Sequence, residues 1–171
     1  MKILGIDPGL SATGYGFLSN GRYTRFGVIK TSPTQSLSQR IKNLVAELDQ
    51  LIDKEKPQAC AIETLFFKVM GGARSVLLSA HLRGAIFYLL AQHSIPIAEI
   101  TPAKVKLMLT GNGRASKKQM QFMVKTILGI KEKLPEDAAD ALAVAYCLDK
   151  SLKHYPRTTS SRPKNDIFIA G

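Results

Sequence analysis

The stretch KILGIDPGLSATGYGFLSNGRYTRFGVIK, residues 2–30, decides how the rest of the chain has to fold. KILGID is a short apolar run that stops at an acid, the pattern of a buried strand with a polar end. TGYGFLS and YTRFGVIKT follow as alternating segments, and Asn20-Gly21 between them is a strong signal for a two-residue hairpin turn. Three strands in an antiparallel meander result, and Asp7 sits at the carboxyl end of the first.

The following segments build on that meander. SLSQRIKNLVAELDQLIDKEK places Leu37, Ile41, Leu44, Leu48, Leu51 and Ile52 at helical spacing behind a Ser cap, and Pro57 closes the helix. QACAIE is a fourth apolar strand, again ending at an acid, Glu63. A helix is expected over about 73–92, a fifth strand at IPIAEI, and two helical pieces at about 102–109 and 116–128 around Gly111-Asn112-Gly113. The final helix holds Asp137 and Asp140. Helical connections make strands 1, 4 and 5 parallel. The expected fold is therefore α/β, a mixed five-stranded sheet flanked by helices. Residues 1–154 form one domain, and 155–171 read as a basic, flexible C-terminal tail. In open sheets of this kind ligands bind at the carboxyl ends of the parallel strands, where both Asp7 and Glu63 fall.

Composition narrows the partners. The chain has 171 residues, 45% of them hydrophobic, enough for one folded core. No apolar run reaches the roughly 18–20 residues of a membrane span, and the start lacks a signal-peptide layout. Cys60 and Cys147 stand in no metal-binding spacing, consistent with a reduced, cytoplasmic protein. Twenty-four Lys and Arg against thirteen Asp and Glu give a net charge of +11, which favours an anionic partner, nucleic acid first. From Ile100 to Lys131 there are seven basic residues and no acid.

PEDAADALAVAYCL, residues 135–148, raises the chemical question. Asp140 is the only polar residue between Ala138 and Ala145, and a buried carboxylate costs several kcal/mol unless a cation or hydrogen bonds compensate it. Asp137, three residues earlier, shares its helix face. Taken singly, each acid has an ordinary explanation. Asp7-Pro8-Gly9 is good turn chemistry, Glu63 could be a solvated strand end, and Glu136 and Asp137 suit a helix start. Small Ala138, Ala139 and Ala141, however, would let the helix lie against the sheet and carry its acids to the strand ends. Four carboxylates would then meet, an oxygen-only donor set suited to Mg²⁺ or Mn²⁺ and not to zinc. Without a Ser-His or Cys-His pair, that set points to two-metal phosphodiester hydrolysis.

These residues resemble a known family. LGIDPGLSATGYG, AIETLFF, Arg83-Gly84 and DAADALAVA occur in the order found in RuvC-type Holliday junction resolvases, over about residues 1–150. The resemblance implies an RNase H/integrase-like fold and a homodimer. It implies symmetric paired nicks in four-way DNA junctions, with 5′-phosphate and 3′-hydroxyl ends, in recombination and DNA repair. It also implies two Mg²⁺ ions per subunit, with Mn²⁺ able to substitute, and a partnership with the RuvA–RuvB branch-migration complex. Its catalytic and metal-binding acids fall on Asp7, Glu63, Asp137 and Asp140. Phe66 matches an aromatic used at the junction crossover, and Lys106 and Lys117 match lysines that contact DNA near the scissile phosphate. Met70 stands where the family carries an Asn, and VMGGAR departs from the usual pattern. DNA contacts of that loop are therefore less transferable than the acids.

Other readings have less support. An actin-like phosphotransferase shares Asp7, Gly9 and Thr13 but needs two such domains, and no Gly-rich nucleotide loop is present. A non-catalytic junction binder facing phosphates would gain by losing its acids. A related nuclease acting on RNA differs only through the family match.

Overall fold

The computed structural model describes residues 1–64, 72–154 and 168–170. β1 (Lys2–Asp7), β2 (Ala12–Ser19) and β3 (Arg22–Lys30) form the antiparallel meander. Asn20 and Gly21 both take positive φ, 52° and 82°, the turn whose twist matches the flanking strands. Ser36 caps α1 (Leu37–Glu55) by accepting the Gln39 N–H at 3.3 Å. Lys56, in the left-handed region at φ 49°, ends that helix one residue before Pro57.

β4 (Ala59–Glu63) returns parallel to β1, α2 (Gly72–Gln92) crosses over, and β5 (Ile97–Ile100) lies parallel to β4. α3 (Pro102–Thr110), α4 (Lys117–Leu128) and α5 (Glu136–His154) complete the main body. Ser116 and Gln119 form a reciprocal capping box at the start of α4. The strand order is β3-β2-β1-β4-β5, with a sixth strand beyond β5. Among the described residues no helix is long and apolar enough to cross a membrane.

The sixth strand, β6 (Phe168–Ala170), lies inside the segment expected to be an aperiodic tail. It pairs antiparallel with β5, Ala98 facing Ile169. Three residues are too few for alternation to register in sequence. An otherwise open β5 edge offers a row of backbone donors and acceptors that such a short apolar piece can use. Residues 155–167 lie outside the described residues.

The sheet separates two cores, and strand alternation assigns each side chain to one of them. Leu4, Ile6, Cys60, Ile62 and Ile97 pack against α1 and α2; Ile3, Ala59, Ala61, Ala98 and Ile100 pack toward α3, α4 and α5. By the same alternation Asp7 and Glu63 project to the α5 side, whereas Glu99 projects to the α2 side.

Candidate active site

The β1–β4 register sets the strand acids side by side. Ile6 pairs with Ile62 across the parallel β1–β4 ladder, so Asp7 and Glu63 occupy the next rung at the carboxyl end of the sheet. Pro8 and Gly9 turn the chain away immediately after Asp7. Thr13, fully buried, clamps that turn: its hydroxyl donates to the Gly9 carbonyl at 2.8 Å and accepts the Gly9 N–H at 3.3 Å.

A stripe of glycines then brings the helix acids to the same place. Gly14 is the cross-strand partner of Asp7, and a Cβ placed on Gly14 would lie 1.9 Å from the Asp137 carbonyl oxygen. A Cβ on Gly5 would lie 1.9 Å from the Ala141 carbonyl oxygen, and one on Gly16 would lie 2.5 Å from the Leu142 side chain. Backbone of α5 therefore rests directly on backbone of β1 and β2, because neither surface has side chains to hold them apart. Ala138, Ala139, Ala141, Ala143 and Ala145 are all buried on the helix side. The first turn of α5 is secured by the Pro135 carbonyl, which accepts the Ala139 N–H at 2.9 Å. Gln121 of α4 adds a 2.7 Å hydrogen bond to the Leu134 carbonyl.

Electrostatics records the resulting proximity. Burial pushes the Asp7 carboxyl from its ordinary 3.8 up to about 7, helped by the charges of Asp140, Glu63 and Asp137 and opposed by Lys117. Burial also raises Asp140; Lys117 and Lys106 pull it down, whereas Glu136 and Asp137 push it up. Lys117 donates to Glu136 Oε1 at 2.6 Å and stands 3.8 Å from Asp140 Oδ2. That hydrogen bond is the main reason its ammonium is held above its usual range. With its side chain 72% exposed, Lys117 remains open to a second anion.

All four acids expected from sequence are thus held within one electrostatic neighbourhood, with Lys106 and Lys117 beside it. Among the described residues no three Asp, Glu, His or Cys side chains form a closed metal-binding group. The fit to a divalent cation rests on donor chemistry: oxygen donors only, in a half-buried setting that already favours an added positive charge on Asp7. The two cysteines do not compete, since both are buried and their thiols are shifted upward, Cys147 to about 12. Phe66 and Met70 lie outside the described residues.

Three features escaped the sequence reading. The glycines of β1 and β2 were given no role, although Gly5, Gly14 and Gly16 at alternate sites could have marked a close helix approach. Glu136 was explained as a helix-start acid and proves to be the hydrogen-bonding partner of Lys117. Arg83, 8% exposed, donates to the Glu63 carbonyl at 2.7 Å and pairs with Glu99.

Comparison with known proteins agrees with this geometry. The family described as crossover junction endodeoxyribonuclease RuvC matches residues 3–148. A protein of that description from Desulforamulus reducens is 46% identical over 153 residues, covering 86% of this chain and 92% of the relative. The Thermus thermophilus RuvC structure superposes with a TM-score of 0.77 at 30% identity, covering 90% of this chain and 97% of that one. The T. thermophilus RuvC in complex with Holliday junction substrate superposes at 0.79 and 28% identity, covering 90% and 96%. The five main strands and their helices are accordingly an RNase H-like fold, and this chain belongs to the RuvC family of crossover junction endodeoxyribonucleases.

Proposed function

We propose that this chain resolves four-way DNA junctions, cutting two opposed strands by hydrolysis of a phosphodiester at the site built from Asp7, Glu63, Asp137 and Asp140. The observation behind this reading is Asp7, half-buried at a strand end in the field of three further carboxylates. Such an array is costly without cations and useful with them. The four acids would hold the metal, two Mg²⁺ ions per subunit with Mn²⁺ as a substitute. When bound, these ions supply Lewis acidity at the scissile phosphate.

The chain's own groups supply the rest. Lys117 presents an exposed ammonium at the rim of the acid cluster, placed to take a phosphate oxygen in exchange for Glu136. Lys106 lies on the same rim and adds a phosphate contact that positions DNA without reading sequence. Phe66, on the strength of the family resemblance, stacks on an unpaired base at the crossover. A junction has approximate twofold symmetry, so a twofold dimer would place two identical sites on opposed strands. The exposed stripe of α2, Leu77, His81, Gly84 and Tyr88, follows one helix face and suits such an isologous contact. Delivery by the RuvA–RuvB complex and a cytoplasmic setting complete the reading.

The deciding experiment incubates the protein with a synthetic four-way junction and with a matched linear duplex, each with and without Mg²⁺. Paired nicks in the junction alone, dependent on Mg²⁺, are expected. Asp7→Asn should abolish cleavage while junction binding persists. Retained cutting would remove Asp7 from the mechanism.

A further inference from the structure

The end of β4 has a gap in its hydrogen-bond ladder. Cys60 N–H bonds the Pro96 carbonyl and Thr64 N–H bonds the Ile100 carbonyl, both at 2.9 Å, so the even residues of β4 face β5. The odd residues, Glu63 included, face β1. With Ile6 opposite Ile62, the Glu63 carbonyl would fall to the N–H of residue 8. Residue 8 is proline and has no N–H.

Arg83 fills that gap from the other side of the sheet. Its Nη1 donates to the Glu63 carbonyl at 2.7 Å, and its Nη2 ion-pairs with Glu99 of β5, whose side chain is on the α2 face. The guanidinium lies 4.9 Å from the ring centroid of Phe87, one helical turn further along α2. At 8% exposure this is a buried cation with both forks engaged, a geometry that a single ammonium reproduces poorly. Glu63 therefore has its side chain on the α5 face and its main chain held from the α2 face.

We propose that Arg83 is a positioning residue for Glu63, replacing the backbone donor that Pro8 removes and fixing the strand end from which the carboxylate projects. The assignment rests on the reading of Glu63 as one of the active-site acids. It gives α2, which also carries the exposed apolar stripe, a direct mechanical link to the site.

The test uses the full chain with Glu63→Gln, Arg83→Lys, Pro8→Ala and the Arg83→Lys/Pro8→Ala pair. Single-turnover cleavage at saturating junction, junction affinity without metal, thermal melting and the Mn²⁺ binding midpoint are measured for each. Arg83→Lys keeps a cation for Glu99, so melting should stay within a few degrees and junction affinity within about threefold. The cleavage rate should fall by at least tenfold and Mn²⁺ binding should weaken. Because Pro8→Ala restores an N–H at the missing rung, the Arg83→Lys loss should be smaller in that background than in the parent. A parental cleavage rate in Arg83→Lys, a loss that tracks only melting or affinity, or an equal loss in both backgrounds would overturn the proposal. Full activity in Glu63→Gln would instead overturn the reading of the active site.

Discussion

Asp7 is held between two strands and under a helix, and its carboxyl responds to that enclosure by moving up to about 7. In the unfolded chain the same group titrates near its ordinary 3.8. Between those values the folded protein keeps a proton that the unfolded chain has lost, so lowering the pH stabilises the fold. Above pH 7 both states are ionised and the folded state bears the full penalty. Asp7→Asn should therefore stabilise the metal-free protein by about 1–3 kcal/mol at pH 8, the gain fading toward pH 4, as read from denaturant unfolding. Mg²⁺ should raise the melting temperature of the parent more than that of Asp7→Asn, since only the parent presents the complete donor set. Asp140 was legible because it interrupts an apolar segment where ionisation is expensive, and Asp7, Glu63 and Asp137 because they stand at strand ends or on its helix face. Their mutual distances were not, since no pattern within one segment reports on another.

At the scale of elements, α5 reaches the strand ends because the facing surfaces are nearly bare. Ala138 and Ala141 announced half of that contact in sequence. The other half, Gly5, Gly14 and Gly16, became meaningful only when the strands were laid beneath the helix. Gly14→Ala puts a methyl where the Asp137 carbonyl oxygen now lies, 1.9 Å away, so α5 must lift or slide. The expected loss is at least ~2 kcal/mol in unfolding free energy, with a cleavage rate per folded molecule at least tenfold lower. A rate that merely follows the folded fraction would mean that α5 can shift without moving its acids. Helix and strand limits were recovered to within a residue or two because caps and turns declare themselves locally: Ser36 and Ser116 cap with their hydroxyls, and Gly111 and Asn20-Gly21 take the positive φ such residues tolerate. β6 was missed because a three-residue strand exists only through the partner beside it.

For the whole molecule, the exposed face of α2 is one feature that a single chain leaves unused. Leu77 is 60% and Tyr88 66% exposed, and Gly84 between them has nothing within 4 Å of an added Cβ. Gly84→Ala should leave the isolated chain folded, or raise its stability by about 0.5–1 kcal/mol through helix propensity. On the proposed dimer, Tyr88→Glu should leave each chain folded but convert it to monomer in sedimentation, and paired nicks in one junction to independent single ones. A dimer that persists would place the interface on another face. By itself, the sequence determined the meander, the parallel sense of the later strands, the Ser cap of α1, the basic surplus and which four acids are candidates for the site, because those depend on local chemistry and on period. Tertiary structure decided which glycines admit α5 to the sheet, that Lys117 is shared between Glu136 and Asp140, and that Arg83 supports Glu63 where Pro8 cannot. Each of those joins residues far apart in the chain, and only packing sets such distances.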